Sequence, residues 1–85
     1  MNNSKKAFLH NLNPIHPELI LMNMDLFALT KMIKFGEQYS QDAQEQAIEN
    51  KLLGREHIAN AIARDVTVIN KNVASLKDAY KLAMN

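Results

Sequence analysis

Arg55 to Met84 reads REHIANAIARDVTVINKNVASLKDAYKLAM. Within it Ile58, Ile62, Val66, Ile69, Val73, Leu76, Tyr80 and Ala83 recur at steps of 4, 4, 3, 4, 3, 4 and 3. Such spacing keeps these side chains on one face of an α-helix. At 1.5 Å per residue, a continuous helix of about 30 residues would be about 45 Å long. Two features argue for a break inside it. Val66, Thr67, Val68 and Ile69 form a β-branched run, which weakens local helix propensity, and Asp65 just before them is a usable N-cap. The stretch therefore predicts one long helix or two shorter ones parted at Arg64–Asp65.

Gly54 stands immediately upstream. It is suited to end a preceding helix, because glycine enters the left-handed region without a Cβ penalty. Residues 41–53 are polar and rich in Gln and Glu, with Ala43, Ala47, Ile48, Leu52 and Leu53 as their apolar marks. That is the pattern of a half-exposed helix. Earlier still, Leu19, Met22, Leu26, Leu29 and Ile33 step by 3, 4, 3 and 4, and Ile20, Leu21, Met24, Phe27, Ala28, Met32 and Phe35 widen the apolar face. Asn13 as N-cap, Pro14 or Pro17 in the first turn, and Glu18 at the positive end of the dipole predict the start of this helix. Gly36 costs about 1 kcal/mol relative to Ala inside a helix, and Ser40 is a suitable N-cap, so a kink or turn is expected within 36–41. Residues 1–13 read as an arm rich in Asn and Lys, with Phe8, Leu9 and Leu12 to anchor it. Residues 14–85 read as a single helical domain. The expected fold is all-α: a small domain of three to four helices, built on a long antiparallel helical hairpin with a docked N-terminal arm.

Composition narrows the function. The chain has 85 residues, 47% of them apolar, with two glycines, two prolines and a formal net charge of +1. It has no cysteine, which excludes disulfides and thiolate-held metals. Near-neutral charge argues against a strongly basic nucleic-acid coat, although the charge is uneven. Residues 1–50 carry four Lys and six acidic groups, or −2; residues 51–85 carry six Lys or Arg and three acidic groups, or +3. The most apolar stretch, Leu19 to Leu29, contains Asn23 and Asp25 and is about half the length a bilayer span needs. A cytoplasmic location without membrane attachment is expected.

No residue pattern points to catalysis. His10, His16 and His57 have no metal-ligand spacing. Asp42, Glu45 and Glu49 share a helical face, yet Gln41, Gln44 and Gln46 surround them, as on a solvated surface. No serine sits in a nucleophile elbow, and two glycines are too few for a phosphate cradle. No catalytic residue, cofactor or metal is expected, and the chain reads as a non-enzyme.

The apolar stripes carry the functional expectation. They hold more apolar surface than a chain of this size readily hides, so association with itself or with another protein is expected. The residues chosen for that interface are Leu19, Met22, Leu26, Leu29 and Ile33, with Ile69, Val73, Leu76 and Tyr80 opposite. A small regulator, inhibitor or adaptor, acting as a homo-oligomer or clamped on a partner protein, fits this description. The alternative rests on IANAIARDVTVINKNVASL, residues 58–76, which resembles the helix-turn-helix of bacterial winged DNA-binding domains. Ala63 stands where that family mostly has glycine. The resemblance implies a transcriptional regulator using residues 55–76, with Arg64, Thr67, Asn70, Lys71 and Asn72 facing DNA. It also requires a bend near Arg64–Asp65.

Overall fold

The computed structural model describes residues 17–85. The expected arm at residues 1–13 lies outside them. The described chain is all-α, with three helices: α1, Pro17–Asn23; α2, Leu26–Leu52; and α3, Glu56–Met84. Helices α2 and α3 form the long hairpin. Their antiparallel course shows in two cross-links, Ser40 to Asn70 and Glu37 to Lys77, where a step back along α2 is a step forward along α3. Helix α1 packs on α3.

Local chemistry explains the helix boundaries. Met24 N–H donates to the Ile20 carbonyl at 3.0 Å, the last bond of the α1 ladder. Asp25 then takes an extended backbone, and its carboxylate accepts the Ala28 N–H at 2.7 Å, an N-cap that starts α2. At the other end Leu53 caps α2 and Gly54 adopts φ +79°. Gly54 N–H donates to Lys51 O at 3.1 Å, and Arg55 N–H donates to Asn50 O at 2.8 Å. These two bonds are the Schellman pattern, which reverses the chain and satisfies carbonyls that the helix end would leave open. Gly54 ends the helix as its sequence position predicts.

Two expected boundaries are not formed. Helix α2 runs unbroken through 36–41. Gly36 and Ser40, one turn apart, are both buried there, followed by buried Ala43. Small residues along this line allow α2 and α3 to approach closely, and packing outweighs the propensity cost of one glycine. The break lies instead at Met24–Asp25, so the stripe from Leu19 to Ile33 is divided between two helices. Helix α3 likewise runs continuously across Arg64–Asp65. Val66 and Ile69 of the β-branched run are buried, and Thr67 Oγ1 donates to Ala63 O at 3.1 Å within the helix.

The core is concentrated in one half of the hairpin. Ile20, Leu29, Ile69, Val73, Leu76 and Ala79 form one buried cluster. Leu21, Met24, Met32, Ile33, Phe35 and Tyr39 pack against it. Phe35 and Tyr39 meet edge to face at 6.1 Å. All these residues lie where α1 adds a third helix. Among the described residues only two helices run together around the turn, and the buried apolar residues there are Ala43, Ala59 and Val66.

Two stability measurements follow from this layout. Leu76 is fully enclosed, so Leu76→Ala should cost about 2–5 kcal/mol in urea unfolding. Gly54 has open space around it, so Gly54→Ala should cost only the left-handed backbone penalty, about 1 kcal/mol. Gly54→Asn should cost less than Gly54→Ala.

Candidate interaction surface

The residues expected at an interface divide into two groups. Leu29, Ile69, Val73 and Leu76 are inside the core, with Ile33 half-buried against it. Leu19, Met22, Leu26 and Tyr80 remain exposed, Met22 most of all at 78%. The division has a simple cause. The break at Met24–Asp25 lets α1 turn Ile20 inward, which leaves Leu19 and Met22 on its outer surface.

Further exposed apolar side chains surround the turn: Ile48, Leu52, Leu53 and Ile58. Their exposure follows from the architecture, since two helices enclose only the line between them. The sequence marked Ile48, Leu52 and Leu53 as apolar points of a half-exposed helix, but spacing alone did not single them out. Phe27 is also exposed, with Lys31 Nζ 4.3 Å from its ring centroid.

Two grooves run between α2 and α3, and neither is lined by α1. One, of about 350 Å³, is lined by Thr30, Ile33 and Tyr80 together with Lys34, Lys77, Lys81 and Glu37. The other, of about 380 Å³, lies nearer the turn and is lined by Gln44, Ala47, Ile48, Ala63, Val66 and Asn70. A polar link stands between them. Ser40 Oγ donates to Asn70 Oδ1 at 2.6 Å and accepts from Gln44 Nε2 at 3.0 Å. Lys77 Nζ pairs with Glu37 Oε2 at 2.8 Å, both side chains about half exposed.

The helix-turn-helix arrangement is absent, because residues 56–84 are one helix with no bend at Arg64–Asp65. Its five intended DNA contacts do not share one free surface either. Asn72 is buried, and Asn70 is engaged by Ser40. Arg64, Thr67 and Lys71 are exposed.

The remaining polar candidates are dispersed. His57 is exposed, as are Asp42, Glu45 and Glu49; His10 and His16 lie outside the described residues. Among the described residues no three His, Asp or Glu side chains cluster to hold a metal ion. No helix among them is long and apolar enough to cross a membrane. Compared with family models, curated proteins and solved structures, the chain matches none.

The polar link and the ion pair should differ in weight. Ser40→Ala removes two part-buried hydrogen bonds, to Asn70 and from Gln44, and should cost about 1–2 kcal/mol. Lys77→Met breaks a half-exposed pair and should shift stability by less than about 0.5 kcal/mol. Urea titration of the two variants beside the parent chain reads both values.

Proposed function

We propose that this chain is a non-enzymatic helical binding protein that works by burying apolar helix faces against another polypeptide, either a second copy or a partner protein. One observation carries the reading: among the described residues a third helix packs at one end of the hairpin only, and large apolar side chains remain at the surface, several of them around the turn. Leu52 is 82% exposed, Leu53 61% and Ile48 60%. Single exposed leucines are ordinary, but several around one helical turn mark a surface that association would cover.

Shape supports the same reading. The molecule extends 46 × 22 × 20 Å, with a radius of gyration of 14.1 Å, where a compact domain of this length would have about 12 Å. Its accessible surface is 6145 Å², against about 5,100 Å² for a compact monomer of this mass. A regulator, inhibitor or adaptor in the cytoplasm is the role we assign. Such a protein needs no reactive group; it needs a stiff scaffold presenting greasy side chains, which a two-helix hairpin supplies.

Native mass spectrometry of the purified chain, together with sedimentation over a range of concentrations, tests this. A complex of two or more chains is the expected result. A strict monomer at high concentration, with no protein bound to it, would count against the proposal.

A further inference from the structure

From the groove near the turn we infer that the partner is a second copy of this chain, seated face to face on that groove to make a four-helix bundle. The inference rests on the association reading above and goes further by fixing the surface and the occupant.

Two observations select a second copy. The first is self-complementary shape. Ile48, 60% exposed, stands on the wall of the groove that Ala47, Ala63 and Val66 also line. A knob and a hole on one face suit a two-fold interface, in which each copy supplies both and receives both. Ala47 and Ala63 are small, so a facing helix can come near.

The second is charge. Helix α2 holds Lys31, Lys34 and Lys51 against Glu37, Asp42, Glu45 and Glu49, three cations to four anions, or −1. Helix α3 with its cap Arg55 holds Arg55, Arg64, Lys71, Lys77 and Lys81 against Glu56, Asp65 and Asp78, five to three, or +2. In a square bundle with α2 beside the partner's α3, unlike helices are neighbours on every side. Register adds detail. From the Ser40–Asn70 link, five residues along α2 reach Glu45 and six back along α3 reach Arg64. At 1.5 Å per residue the two stand within about 2 Å of the same level. Both are exposed, and neither forms an ion pair among the described residues. A two-fold axis parallel to the helices leaves every residue at its own level, so Glu45 of one copy comes beside Arg64 of the other.

The test uses the full chain. Sedimentation equilibrium of the parent should give a dimer. Ile48→Asp should raise its dissociation constant about tenfold or more, with unchanged helical circular dichroism because Ile48 is exposed. Glu45→Arg and Arg64→Glu should each weaken the dimer about three- to fivefold, and the chain carrying both changes should recover most of the loss. Because the chain has no cysteine, Ile48→Cys and Ala63→Cys chains can be mixed and oxidised, and a cross-linked pair containing one of each should form. A dimer that Ile48→Asp leaves at full strength, with no such cross-link, would overturn this interface while sparing the wider association reading. A parent chain that stays monomeric to about 1 mM would also overturn it. The wider reading then falls only if native mass spectrometry shows no bound partner protein.

Discussion

Leu29, Ile69 and Leu76 are hidden where Ile20 joins them from a third helix. Two helices in contact share one line of side chains and leave the flanks of that line to water. A third helix turns the line into an enclosed volume, and α1 does so with seven residues. Large side chains therefore collect in the half that α1 reaches, and alanines and Val66 are what the bare pair can bury beyond it. Where large residues occur near the turn, as at Ile48, Leu52 and Ile58, they remain exposed. The position of the core follows from where the third helix stops, whereas large apolar side chains stay exposed at both ends of the hairpin, Phe27, Leu82 and Met84 at one and Leu52, Leu53 and Ile58 at the other.

Much of this architecture was legible from periodicity. The seam from Ile58 to Ala83 marked α3, and Ile69, Val73 and Leu76 from it are core residues. Gly54 marked the reversal, because a residue able to adopt positive φ between two helical patterns has few other uses. What periodicity could not locate were the breaks. The stripe Leu19, Met22, Leu26, Leu29 and Ile33 keeps helical phase across Met24–Asp25, so nothing in its spacing records that the chain turns there. Asp25 is the local signal, and an aspartate at that position reads equally as a polar residue on a helix flank. At Gly36 and Ser40 the error ran the other way. Both residues favour helix ends in isolation, yet both fit where two helices press together, and that setting exists only once α3 is in place. The β-branched run at Val66–Ile69 follows the same rule: Val66 and Ile69 gain burial that offsets their weak propensity.

The candidate surface was legible in kind and not in place. Excess apolar area can be counted from composition, but which stripe residues become core depends on the position of α1. Leu19 and Leu29 sit in the same stripe with opposite fates, one on the outer side of a short helix and one at the centre of the cluster. The alternative reading of residues 58–76 failed for a related reason. A helix-turn-helix and a single amphipathic helix share the same apolar spacing, and the difference lies in whether the chain bends. With a continuous α3, Asn72 is inside and Asn70 serves the α2 contact.

That Asn70 contact has a consequence for specificity. Ser40, Gln44 and Asn70 place a hydrogen-bonded link among side chains that otherwise pack by size alone. Apolar surfaces tolerate sliding, because one methyl group replaces another at little cost. A slip of one helical turn between α2 and α3 would part Ser40 Oγ from Asn70 Oδ1, leaving polar atoms at a partly buried junction without their partners. Unpaired groups in such places cost more than the bond itself contributes. The link therefore resists a shift of register between helices whose alanine-rich contact near the turn would otherwise accept several. Since Gln44 and Asn70 also border the groove that holds Ile48, the same three side chains that fix the pairing of α2 with α3 hold that knob and its neighbouring hollow at a constant offset.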